Sequence, residues 1–183
     1  ERFTAFSDTL EIDLLKGLFS EQIRVNEYEY EKYWQVFDRT AGKEIHDWEY
    51  IGNGRVVIRN VEKMHEYTVN FFGLNLWDAT QIYNYNANGW DVVKDRDMDP
   101  VYPEAFARML KNLDRWLEEN PQVSVVRFTT FFYHFFLLYL TGTKQKLFDW
   151  YNYAMAASPA MFELFFKEYG YEITIEDLVS EGY

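Results

Sequence analysis

The chain has 183 residues, 48% hydrophobic and 26% charged, which suits one soluble globular domain with a sizeable core. A net charge of −12 argues against a surface built for nucleic acid or an anionic membrane, since both demand clustered Lys and Arg. Without cysteine there are no disulfides and no thiolate metal sites, which fits a cytoplasmic setting.

Tyr, Phe and Trp together make up 20% of the chain. Flat apolar rings with polar ends suit the C–H faces of sugars, although most such side chains in any protein fill the core. The chain opens on Glu1 and closes on Tyr183 without an evident stop, as an excised piece would.

In chain order, residues 9–23 alternate loosely and predict a strand and a short helix. "YWQVF" (33–37), "DRTAGKEI" and "GNGRVVIRNV" predict a small antiparallel section, with Asn53-Gly54 as its hairpin turn. "EYTVNFFGLNLWD" (66–78) is apolar on both alternating faces, which predicts a doubly covered strand of a parallel sheet. "PEAFARMLKNLDRWLEEN" (103–120) predicts a helix, because Phe106, Met109, Leu110, Leu113, Trp116 and Leu117 share one stripe. Pro103 suits its first turn, and Asn120-Pro121 stops it.

"VSVVRF" (123–128) predicts a second buried strand, completing a strand–helix–strand unit with parallel strands. A helical region follows across 144–157. Ser158-Pro159 then starts another helix that Gly170 ends, and Thr174 with Asp177 resembles a capping box. The alternation is that of an α/β fold, either barrel or open sheet. The run at 125–140 is too short to span a bilayer, and Arg127 and His134 interrupt it.

In parallel α/β folds, sites gather beyond the carboxyl ends of the strands. The segment "WDATQIYNYNANGW" (77–90) would lie there, offering Asp78, Tyr83, Asn84, Asn86 and Asn88 between two tryptophans. Amides beside aromatic planes suit a hydroxyl-rich ligand. The same residues also suit a plain polar loop shaped by Asn turns. Arg127 emerges from the next strand, and its planar fork of donors fits a phosphate or a pair of sugar hydroxyls, or else a buried ion pair with an Asp or Glu of an adjoining strand. Thr129 and Thr130 read as ordinary strand residues or as hydroxyl donors to a ligand, and Tyr133 and His134 as packing or solvent-facing groups rather than catalysts.

His46, His65 and His134 lack metal-ligand spacing, and no phosphate loop or nucleophile elbow is present. Asp95, Asp97 and Asp99 lack the glycine and terminal Glu of a calcium loop and predict a solvated acidic turn.

"YWQVFDRTAGKEI", "HEYTVNFFGLNLWD", "VVRFTTFFYHF", "FDWYNYAMAASP" and "EYGYEITIEDLVSEGY" together resemble the galacto-N-biose/lacto-N-biose phosphorylases, in the same order across nearly the whole chain. The resemblance implies part of a (β/α)8 TIM barrel, with a β-rich insertion at about 24–64 and βα units of the barrel over about 65–183. It implies inverting phosphorolysis of terminal β-galactosides to α-galactose 1-phosphate and an N-acetylhexosamine. Phosphate is a substrate there, and no cofactor is needed. A sister activity acts on galactosyl-rhamnose.

The resemblance further implies that Arg127 serves the substrate and phosphate site, that Asn84 binds the sugar, and that Thr80 and Tyr153 shape the acceptor pocket. Tyr153 replaces a smaller residue of some members, and Gly89 stands where some have Asp, so no role of that Asp transfers. The family's acidic proton donor and one phosphate-site arginine fall outside these residues, so this piece alone is expected to be inactive. Two other readings stay open: a non-catalytic carbohydrate-binding piece, and a galactosidase that uses water. A partial barrel exposes sheet edges, and these allow a homodimer.

Overall fold

The computed structural model describes residues 2–16, 23–76, 88–90, 98–127 and 157–179. Among the described residues, nine short strands form: β1 (Phe3–Thr4), β2 (Thr9–Asp13), β3 (Ile23–Val25), β4 (Gln35–Asp38), β5 (Lys43–Ile45), β6 (Trp48–Gly52), β7 (Arg55–Arg59), β8 (Glu66–Asn70) and β9 (Gly73–Asn75). One helical turn, α1 (Tyr30–Tyr33), precedes β4. The strands make three sheets, ordered β1-β8-β4-β5, β2-β7-β6 and β3-β9.

Alternation explains the sheets. In β7, "RVVIR" buries Val56 and Ile58 and turns Arg55 and Arg59 outward. Antiparallel β2 sets Ile12 opposite Val56 and Leu10 opposite Ile58, so the apolar residues stack on one face. Fully burying side chains of this size stabilises by about 1.5–3 kcal/mol each. A single apolar cluster joins these residues to Val36 of β4, Tyr67 of β8, Trp34, Phe72 and Phe162.

The predicted hairpin is present. Asn53 (φ 52°) and Gly54 (φ 73°) occupy the left-handed region between β6 and β7, as a two-residue hairpin loop requires. By contrast, 66–78 is not one doubly covered parallel strand. It breaks after Asn70, and its pieces β8 and β9 pair antiparallel with β1 and β4 and with β3. In the sheet that holds β8, β4 and β5 are joined by the short link Arg39–Gly42, which permits only antiparallel pairing, and β8 adds to the other edge of β4 in the same antiparallel sense.

Helix α2 (Pro103–Glu119) begins and ends where expected, with Pro103 in its first turn. None of its residues is buried, and Phe106 and Leu110 of its apolar stripe are about half exposed. Residues 123–127 differ from the expected buried strand: they form no strand, and all but Val123 are exposed. Helix α3 (Pro159–Tyr169) carries both predicted caps. The Ser158 hydroxyl accepts the Met161 N–H at 3.3 Å, and Gly170 closes the helix at φ 79°. The Thr174 box is half formed. Asp177 accepts both the N–H and the hydroxyl of Thr174, at 2.7 and 2.9 Å, ahead of a single 3-10 turn at Glu176–Leu178. The predicted helical region 144–157 lies outside the described residues apart from its last position.

Candidate functional site

Of the residues singled out in the sequence, Arg127 is described, while Asn84, Thr80 and Tyr153 lie outside the described residues. So do Asp78, Tyr83, Asn86, Asp95, Asp97, Thr129, Thr130, Tyr133 and His134. Arg127 is exposed, and among the described residues it has no carboxylate partner. A buried ion pair, the structural alternative for this guanidinium, is therefore not formed with any described side chain. Asp99 is more than a solvated turn. One oxygen accepts the Val101 N–H at 3.0 Å and the other accepts the Ser158 hydroxyl at 2.7 Å, which ties the segment before α2 to the start of α3.

Two polar centres emerge that residue patterns did not reveal. Asp38 is fully buried on the Val36 side of β4. Its carboxylate lies 2.8 Å from His65 Nδ1 and accepts the Ala41 N–H at 2.9 Å, while Glu62 stands 3.3 Å from the other ring nitrogen. Burial pushes the Asp38 carboxyl up, but the hydrogen bonds from His65 and Ala41 outweigh it and leave the group below the usual carboxylate range. The signal in the sequence was "QVFD": alternation puts Asp38 on the same face as Val36, where a charge needs partners. In the second centre, Arg39 holds Glu176 with two hydrogen bonds, and Asn70 adds a third.

A cleft of about 620 Å³ opens between α1, β5–β6 and α3. Tyr30, Trp34, Trp48 and Tyr50 form its aromatic wall, with ring centroids 5.0–6.4 Å apart in tilted and edge-on contacts. Glutamates 31, 44, 49, 163 and 172 surround it, with Lys32 as the lone Lys or Arg of the lining. Arg127 does not line this cleft. Among the described residues no His, Asp and Glu cluster is arranged to hold a metal ion, and no helix is long and apolar enough to cross a membrane.

The architecture so far defines a mixed α and β chain whose antiparallel sheets share a core with a capped helix. A family model described as "Lacto-N-biose phosphorylase N-terminal TIM barrel domain" matches residues 1–183. The chain belongs to this family. It is 38% identical to a 1,3-beta-galactosyl-N-acetylhexosamine phosphorylase of Lachnoclostridium phytofermentans, over all of this chain and 26% of that protein. It is also 38% identical to the D-galactosyl-beta-1->4-L-rhamnose phosphorylase of the same organism, over 97% of this chain and 26% of that protein. Identity to the 1,3-beta-galactosyl-N-acetylhexosamine phosphorylase of Bifidobacterium longum subsp. longum is 36%, over all of this chain and 25% of that protein. The chain thus spans about a quarter of the length of these relatives.

Proposed function

We propose that this chain is part of the catalytic barrel of a glycoside phosphorylase that cleaves terminal β-galactosides with inorganic phosphate. The observation that carries this reading is the match of the whole chain to one family, whose curated relatives are named for phosphorolysis of galactosyl-hexosamines and galactosyl-rhamnose. In the proposed reaction a phosphate oxygen attacks the anomeric carbon from the face opposite the glycosidic bond. That bond breaks, the departing oxygen takes a proton from one acid, and the products are α-galactose 1-phosphate and the second sugar. Only one protein acid is required, because phosphate itself is the nucleophile. It is assigned to no residue of this chain.

Arg127 is the proposed anchor for the phosphate. A guanidinium offers a planar fork of donors that matches phosphate oxygens, and a protein of charge −12 needs such a local grip on an anion. Its exposure and lack of a described carboxylate partner are consistent with that role. Asn84 is proposed to hold the galactose ring, and Thr80 and Tyr153 to border the acceptor. Galactosyl-N-acetylhexosamine is the first choice of substrate. Galactosyl-rhamnose is the second, supported by an equal 38% identity to the enzyme of that name.

The test is phosphate-dependent release of galactose 1-phosphate by the full-length protein, offered both disaccharides. Arg127→Ala should lower kcat/KM by about 10–10²-fold, chiefly through a higher KM for phosphate, the range for losing a charge-assisted hydrogen bond to a bound anion. An unchanged kcat/KM in that variant removes Arg127 from the site. Free galactose as the product, independent of phosphate, overturns the phosphorylase reading itself.

A further inference from the structure

We propose that the cleft between α1, β5–β6 and α3 binds a neutral saccharide unit, a property that does not depend on the phosphorylase reading. Its size is right, since small-molecule pockets hold about 300–1,000 Å³ and this one holds about 620 Å³. Its chemistry then narrows the ligand. Tyr30, Trp48 and Tyr50 are partly exposed and supply apolar ring surface of the kind that pyranose C–H faces cover. The surrounding glutamates are acceptors only, which matches a ligand rich in hydroxyl donors.

Anions are excluded by charge. Glu44, Glu163 and Glu172 line the cleft, while Lys32 is already paired with Glu29 at 3.6 Å. Quaternary cations are disfavoured by geometry. A cage needs ring faces standing apart around the cation, whereas Tyr30, Trp34 and Tyr50 lie centroid to centroid at 5.0–5.4 Å and fill that space with each other. A polyhydroxylated neutral ring satisfies both constraints. The wall also contains an unsatisfied donor: the indole N–H of Trp34 is buried without a hydrogen-bond partner. Leaving such a donor unpaired costs about 1–3 kcal/mol, and a ligand oxygen reaching it after a small ring shift would relieve this.

The rigid frame under the wall supports recognition. Tyr50 is fixed at its hydroxyl, which donates to Glu27 at 2.5 Å and accepts the Gly54 N–H at 3.0 Å. Phe162 of α3 packs edge-on against Tyr33 and Phe72, which locks the facing helix to the same core.

Hydroxyl-radical footprinting of the full-length protein, read peptide by peptide, tests the proposal. D-galactose, lactose and maltose should each be tried against tetramethylammonium and inorganic phosphate. At least one sugar should protect Tyr30 and Trp48, and neither ion should. Trp48→Ala should weaken the protection of Tyr30 about tenfold in sugar concentration, equivalent to the loss of one stacking contact. Glu163→Gln, an exposed change that leaves the core intact, should weaken it several-fold and report independently of folding. The proposal is overturned if no sugar protects these rings, if tetramethylammonium protects them as well as sugar does, or if both variants behave as the parent. Because the readout sits on these peptides, sugar held elsewhere does not register, and a protein without phosphorolysis still gives a clear answer here.

Discussion

The guanidinium of Arg39 meets both carboxylate oxygens of Glu176, Nη1 to Oε1 at 2.5 Å and Nη2 to Oε2 at 2.7 Å. Such parallel charge-assisted bonds fix geometry as well as energy. Arg39 Nε donates to Thr68 at 2.7 Å, Asn70 donates to Glu176 at 2.6 Å, and Gln35 accepts the Glu176 N–H at 3.1 Å. The segment after α3 is therefore fastened to β4 and β8 through one acid.

Glu176→Gln should release that segment. Arg39 keeps only 10% of its side chain exposed, so losing its counter-charge strands a poorly solvated cation. Glu176 is partly exposed at 28%, which tempers the cost to about 1–3 kcal/mol. Faster amide exchange across 172–178, with unchanged exchange in β2 and β7, is the expected pattern. Uniform exchange rates would show that packing alone holds the segment.

Acid should loosen the same region. The Glu176 carboxyl is held below its usual range, chiefly by the Arg39 hydrogen bonds, and Asp38 is held below its own by His65 and Ala41 despite burial. A carboxylate lowered by folding contributes its full stability above the unfolded value, about 3.9 for Asp and 4.3 for Glu. That contribution is lost as pH falls through the depressed folded value. Stability should thus decline below about pH 4. In Asp38→Asn the acid limb should flatten, while stability at neutral pH drops. A variant whose acid limb matches the parent would rule out Asp38 as a contributor.

A tight approach makes Gly73 sensitive. A Cβ there would lie 2.6 Å from Ile23 Cδ1 and 3.1 Å from Cγ1, on the paired strand β3. Gly73→Ala should destabilise by about 1–3 kcal/mol through overpacking. Ile23→Val removes the nearer methyl, so the double variant should recover part of that loss. Additive losses in a denaturation cycle would contradict the clash.

The start of α3 should show coupling between two residues. Ser158→Ala removes both an N-cap, worth about 1 kcal/mol, and the bond to Asp99. Asp99→Ala alone should cost less, and the pair should cost less than the two changes summed. Strict additivity in thermal melts would separate the cap from the loop.

Local rules were legible where neighbours in sequence decide the outcome. Asn53-Gly54, Pro103, Ser158-Pro159 and Gly170 announced their turns and caps because φ preference and capping act within a few residues. Pairing direction was not so legible. "EYTVNFFGLNLWD" is apolar on both faces, and that pattern fits a parallel strand or two antiparallel pieces packed against aromatics. The Asp38–His65 and Arg39–Glu176 contacts join residues 27 and 137 positions apart, which no local pattern specifies. Of the candidate site, Arg127 drew notice through its fixed charge. The aromatic cleft went unnoticed because its rings come from α1, β6 and α3 and meet only after folding.

During synthesis, 137 residues separate the arrival of Arg39 from that of Glu176. At roughly 5–20 residues per second, the ribosome takes on the order of ten seconds to deliver the second partner. The strands described for the antiparallel sheets all come from residues 3–75 and can assemble in that interval. The last turn then clips onto a surface that is already waiting, so translation rate sets the earliest moment at which this latch can close.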